Sequence, residues 1–141
     1  MNDEDTAVQL RRTIIHLARR FNASATDEGL TPSQASTLGL IAARGPIPLS
    51  EVARVDSLNP TMVSRIVGVL ESRGLVERRK DPDDQRAYLA VSTDKGEALH
   101  RRIRDQRVAG IIEASRQLPP DQRRSIAEAL PALEALAEAM P

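Results

Sequence analysis

Five residues near the middle of the chain, Asn59, Thr61, Met62, Ser64 and Arg65, have the types and the spacing to read a nucleic acid. Asn59-Pro60 is a cap followed by a proline at the first helical position, which opens a helix. Val63, Ile66, Val67 and Leu70 then recur at helical spacing and form a stripe that calls for burial. Thr61, Met62, Ser64 and Arg65 are left on or near the other face, in the first turns. Small hydroxyls bond phosphates or base edges, a methionine can touch a thymine methyl, and an arginine can make a forked contact with guanine. The second focus is Arg86, at the end of the polar run Asp81-Pro82-Asp83-Asp84-Gln85-Arg86. An arginine near the tip of a narrow hairpin can enter a minor groove and respond to its width and potential. Asp84 is placed to hold that guanidinium by a charge-assisted bond, while Asp81 and Asp83 repel phosphate.

The elements that must position these residues can be read outward from them. Ser50 is placed to cap a short helix over Glu51–Val55, and a turn at Asp56-Ser57-Leu58 joins it to the helix that opens at Asn59. Gly74 suits the left-handed residue just past that helix. Leu75 to Lys80 and Ala87 to Val91 read as two short strands around the polar loop, Leu89 and Val91 alternating with Tyr88 and Ala90 as in a half-buried strand. Short helix, tight turn, capped helix, strand, loop, strand is the order of a helix-turn-helix followed by a β-hairpin wing. The second helix of such a pair inserts its N-terminal turns into the major groove of double-stranded DNA. Upstream, Thr31-Pro32-Ser33-Gln34 is a capping box that opens a helix with Leu38, Ile41 and Ala42 on its apolar face. Gly45-Pro46 stops it, and Ile47-Pro48-Leu49 has room for one edge strand.

Longer helices flank this middle. Leu10, Ile14, Leu17 and Phe21 make one stripe on a helix over Val8–Phe21. Thr93 caps a helix running to about Gln117, with Gly110 inside it. Leu118-Pro119-Pro120-Asp121 then breaks the chain. Ile126, Leu130, Leu133, Ala137 and Met140 follow at steps of four, three, four and three, and Pro131 predicts a kink or break near Leu130. A chain end with a heptad-like stripe has little else in 141 residues to bury it, so dimer packing is expected there.

Composition narrows the function classes. The chain is 40% hydrophobic, 28% charged and 1% aromatic, so its core must come from Leu, Ile, Val and Ala. Without cysteine there is no disulfide, thiolate metal site or thiol redox sensor. No apolar run is long enough for a membrane span, and the acidic start Met1-Asn2-Asp3-Glu4-Asp5 lacks a signal-peptide pattern, so a cytoplasmic protein is expected. His16 and His100 stand apart, with no convergent ligands, so no metal or cofactor is expected. No Gly-rich phosphate loop, nucleophile elbow, HExxH motif or acid–base pair points to an enzyme. Net charge is zero, and from Arg54 to Arg86 seven basic residues face six acidic ones. Binding to DNA would depend on how those charges are arranged, and it would weaken with salt.

Residues Leu30 to Gly96 resemble the MarR family of bacterial winged-helix regulators. The resemblance is carried by Leu30-Thr31-Pro32-Ser33-Gln34, Leu49-Ser50-Glu51-Val52-Ala53, Val69-Leu70-Glu71-Ser72-Arg73-Gly74-Leu75-Val76-Glu77-Arg78, Asp81-Pro82-Asp83-Asp84-Gln85-Arg86 and Val91-Ser92-Thr93-Asp94-Lys95-Gly96, in that order and spacing. It implies a mainly α fold with a small β-hairpin wing (α+β), a winged helix-turn-helix in one domain. Residues 31–92 would form the DNA-binding lobe, and residues 6–28 and 93–141 the dimerisation helices. Leu10, Ile14, Leu17, Ile126, Leu130 and Leu133 would pack in the homodimer, Asn59 would open the recognition helix, and Arg86 would be the wing arginine. The two-fold symmetry of such a dimer predicts a pseudo-palindromic operator, at which a repressor is expected, and the resemblance further implies release by a small aromatic or phenolic effector. Gln85 stands where many relatives carry a second arginine, which implies weaker wing contacts. A winged-helix module that binds protein instead would show an apolar recognition face, and Thr61, Ser64 and Arg65 do not supply one.

Overall fold

Three helices of this chain end in the same local motif, and those endings set the course of the lobe. The computed structural model describes residues 2–141; Met1 lies outside them. The elements are α1 (Asp3–Asp27), α2 (Pro32–Arg44), β1 (Ile47–Pro48), α3 (Leu49–Val55), α4 (Pro60–Ser72), β2 (Val76–Lys80), β3 (Tyr88–Ser92), α5 (Asp94–Arg116) and α6 (Pro120–Ala139). They divide into two compact units, one reaching to Gln106 and one running from Arg107 to Pro141.

In the first unit the helix starts follow the cap residues. Thr31 Oγ1 accepts from the Gln34 N–H at 3.2 Å, and Gln34 Oε1 accepts from the Thr31 N–H at 3.0 Å, a complete capping box. Asn59 Oδ1 accepts from the Met62 N–H at 2.8 Å. Thr93 Oγ1 accepts from the Gly96 N–H at 3.1 Å. Ser50 is not a cap: α3 begins at Leu49, flanked by Pro48, with no side-chain cap bond. The preset backbone of Pro48 and its pairing in β1 deliver the chain into helix two residues early.

The endings of α1, α3 and α4 place Gly29 (φ 77°), Ser57 (φ 53°) and Gly74 (φ 72°) in the left-handed region. In each, the next residue is a leucine whose N–H reaches back to a carbonyl of the last turn: Leu30 to Ala25, Leu58 to Ala53 and Leu75 to Leu70, all at 2.9 Å. Leu30 and Leu75 are thereby turned into the core and Leu58 against it.

The sheet is antiparallel in the order β1-β3-β2. Ile47 pairs with Ala90, and the hairpin register runs from Val76 opposite Ser92 to Lys80 opposite Tyr88. Ala90 is the buried residue of β3, while Leu89 and Val91 are half-buried on its other face. Leu38, Ile41, Val52, Val67, Leu70 and Leu75 are fully buried, and both aromatic residues lie outside the buried core. Leu99 and Ile103 join this cluster, so the first turns of α5 help build the lobe.

In the second unit α6 runs unbroken from Pro120 to Ala139 with Pro131 inside it. The expected break near Leu130 does not occur. Proline removes one ladder bond, and six alanines of the same helix (127, 129, 132, 135, 137 and 139) supply the propensity to carry it through. No residue of α6 is buried. Gly110 in α5 has open space around the position of an added Cβ. Gly110→Ala should therefore raise stability by about 0.5–1 kcal/mol in urea unfolding. A loss instead would mean that another helix lies close against that position. Among the described residues no helix is long and apolar enough to cross a membrane.

Candidate nucleic-acid interface

The recognition helix of the candidate interface is α4. Its buried stripe is the expected one: Val63 and Val67 are within 1% of full burial, with Ile66 and Leu70 beside them. Thr61, Met62, Ser64 and Arg65 all lie exposed on the opposite face. Pro60, Thr61, Ser64 and Arg65 line a shallow open groove at the start of the helix. Asn59 is at the same end; one lone pair of its Oδ1 is taken by the cap, and its two amide N–H groups are the donors it can offer an outside partner.

The turn that aims α4 is tied down from α2. Asp56 closes α3, and its carboxylate accepts from the Thr37 hydroxyl at 2.9 Å and the Ser36 hydroxyl at 3.5 Å. Thr37 is fully buried. Asp56→Ala would leave that hydroxyl buried without its acceptor, a cost of about 1–3 kcal/mol measurable by thermal unfolding. Sequence reading takes Asp56 only as a turn former, because nothing local marks a residue 19 positions away as its partner.

The wing loop is ordered by its own aspartates. Asp81 Oδ1 accepts from the Asp83 N–H at 2.9 Å, and Asp84 Oδ1 accepts from the Arg86 N–H at 3.0 Å. Asp84 thus holds the main chain of Arg86, not its guanidinium as expected. The short two-residue span favours the nearby N–H, and the guanidinium is left to extend away.

The seven basic residues between Arg54 and Arg86 separate into two groups. Arg54 pairs with Glu51, whose carboxyl is held below the usual carboxylate range by the hydrogen bond from Arg54. Arg73 donates to the main-chain carbonyls of Gly29 and Glu28 at 3.1 Å each. Arg78 donates to the Ser64 carbonyl at 2.7 Å, and Arg79 pairs with Glu77 at 3.4 Å. The side chains of Arg65, Lys80 and Arg86 are exposed, and among the described residues none of them has an ion pair or hydrogen bond within the chain. One of the three is on α4 and two are on the wing. Lys80 counts in the sequence only as one basic residue in a balanced run; its lack of an internal partner, opposite exposed Tyr88, is what marks it.

The residues expected to pack in a dimer do not form a site within either unit. Ile14 and Leu17 on α1 and Ile126, Leu130 and Leu133 on α6 are between 41% and 51% exposed, and Leu10 is half-buried. Gln9, Arg12, Thr13, Ile15, His16 and Arg19 line an open hollow along α1. His100 sits over Gly39, where an added Cβ would stand 3.1 Å from its ring. Among the described residues no group of three or more His, Asp or Glu side chains is placed to hold a metal ion.

The model of the MarR family matches residues 30–88. The chain is similar to the HTH-type transcriptional regulator YkoM of Bacillus subtilis, 30% identical over 97 residues. That match takes in 69% of this chain and 63% of YkoM, so it spans less than two thirds of the relative's length. Among solved structures it resembles RV1404 from Mycobacterium tuberculosis, 25% identical with a TM-score of 0.79, over 98% of this chain and 93% of that one. It also resembles the transcriptional regulator Tm0710 from Thermotoga maritima, 26% identical with a TM-score of 0.75, over 96% of each chain. The matched residues are the helix-turn-helix and most of its wing, and over that segment this chain is similar to the MarR family.

Proposed function

We propose that the protein is a homodimeric, sequence-specific DNA-binding regulator of transcription that acts in the cytoplasm as a repressor of a pseudo-palindromic operator. The observation that carries this reading is the placement of the uncommitted cations. Of seven basic residues in the segment, four are spent inside the chain, and the three left over are on the recognition helix and the wing. Each protomer would set Asn59, Thr61, Met62, Ser64 and Arg65 against one major groove and Arg86 into a flanking minor groove, with Asp84 ordering the wing main chain. YkoM and Tm0710 are transcriptional regulators, which supports the same class for this chain.

The homodimer is supported by the uncovered apolar side chains of α1 and α6. A helix of 20 residues with no buried residue and an exposed leucine stripe has little to stabilise it alone. A second copy would bury Leu10, Ile14 and Leu17 together with Ile126, Leu130 and Leu133. A small acidic effector of aromatic or phenolic type would suit the hollow on α1, where Arg12, His16 and Arg19 adjoin Ile15. It would release DNA by favouring a dimer whose recognition helices are wrongly spaced.

Selection from a randomised DNA pool, with affinity followed against salt, tests the function. An inverted repeat with half-site centres about one helical turn apart is the expected product. Three uncommitted cations per protomer are six in a dimer, so the log–log salt slope from this surface should be no steeper than about −5. No enrichment at low salt would reject operator binding and favour a protein-binding module.

A further inference from the structure

We propose that Arg78 is a positioning residue: it fixes the recognition helix against the wing so that Ser64 and Arg65 on one element and Arg86 on the other can engage one stretch of DNA together. The proposal rests on the DNA-binding reading above. Arg78 is the middle residue of β2 and pairs in register with Ala90, which is fully buried, so its main chain is anchored to the core. Its side chain crosses to α4, where Nη2 donates to the carbonyl oxygen of Ser64 at 2.7 Å. Glu71, seven residues further along the same helix, accepts the main-chain N–H of Arg78 on Oε2 at 3.3 Å and stands 3.9 Å from Nε through Oε1. One strand residue thus holds α4 at two points on one face. Gly68 lies between those points, and a Cβ there would meet Nη2 at 3.5 Å, so any side chain longer than alanine's would crowd the guanidinium.

The arrangement is a poor way to obtain stability alone. The Nε–H of Arg78 is buried without a hydrogen-bond acceptor. A buried donor left unmatched costs free energy, and the Glu71 carboxylate, 3.9 Å from it and 46% exposed, offsets little of that cost. What the planar fork supplies is direction: its donors point along fixed lines, so they fix the angle between β2 and α4. Arg78 is also turned away from any outside partner, its side chain 25% exposed with its Nη2 spent on Ser64. The carbonyl it holds belongs to Ser64, a residue that lines the proposed groove.

The test uses the full-length protein and the sequence it selects. Arg78→Met keeps the apolar stem and removes the fork, and Arg78→Lys keeps the charge without the fork. Both should melt close to the parent yet bind the selected site about tenfold more weakly or worse. Their affinity for unrelated DNA and their salt slope should stay as in the parent, because no phosphate contact is lost. Equal affinity of parent and both variants for the selected site would overturn the proposal. So would a salt slope reduced by about one per protomer, which would make Arg78 a phosphate contact. If Arg78→Met does not fold, Arg78→Lys and Glu71→Gln decide: weakening that only follows their fraction of unfolded protein would make the link structural and overturn the proposal. A parent that selects no sequence overturns the DNA-binding reading and this proposal with it, whereas a binding parent with unaffected variants overturns the proposal alone.

Discussion

Gly96→Ala should destabilise the protein by about 3 kcal/mol or more, read by urea unfolding at fixed protein concentration. The Cβ it adds would stand 2.0 Å from the carbonyl oxygen of Leu75, 2.9 Å from its carbonyl carbon and 3.2 Å from its Cα. All three are main-chain atoms, so no side chain can swing aside. The start of α5 would have to lift away. That start satisfies the last carbonyls of α4 and the turn after it: Lys95 Nζ donates to Arg73 O at 2.8 Å, Thr93 Oγ1 to Gly74 O at 2.6 Å, and the Thr93 N–H to Leu75 O at 3.1 Å. Lifting α5 would strain all three and draw Leu99 and Ile103 out of the core. The same substitution at Gly110, in the same helix, is expected to stabilise, so the pair separates packing from helix propensity. A Gly96→Ala protein within 1 kcal/mol of the parent would mean that α5 is not seated on Leu75.

Arg65→Ala should weaken binding to the selected operator by about 1–3 kcal/mol, with the loss concentrated at one base pair of each half-site. Arg65 lies in the second turn of α4, exposed and without an internal partner, so its fork has no competing claim. Arg86→Ala should lose a comparable amount without losing preference at any single base pair. It should instead abolish the preference for a narrow flanking minor groove, because that groove is read through width and potential. Lys80→Ala should weaken binding evenly across sequences and reduce the salt slope by about one per protomer. Arg79→Ala is the control: its guanidinium already faces Glu77 on the wing surface, and a small effect is expected. Affinities of the four variants for the selected site and for single-base-pair changes of it decide the assignment. An even loss in Arg65→Ala would make that residue a phosphate contact.

These predictions draw on two kinds of information. The chain reports its own helix starts and buried stripes, because caps and helical periodicity act over three or four residues. Thr31 with Gln34, Asn59 with Met62 and the stripe from Val63 to Leu70 stand in the structure as the spacing predicts. The order of those elements was enough to reach a winged helix-turn-helix. Ser50 and Pro131 mark where the local rules stop. A β-strand ending at Pro48 overrides the serine cap, and alanine-rich turns override the proline break.

Partner choice lay beyond local reading. Arg54, Arg65, Arg73, Arg78, Arg79, Lys80 and Arg86 are alike as letters, and folding gives them different work. Arg73 reaches a carbonyl 44 residues away, Arg78 one 14 residues away, and Arg65, Lys80 and Arg86 reach none. Asp56 finds Thr37, Asp84 takes a main-chain N–H in place of a guanidinium, and β3 buries Ala90 while Leu89 and Val91 stay half-covered. Local propensity sets where a helix begins and which face it hides; which charged side chains remain for an outside partner is decided only when distant segments compete for them in the packed lobe.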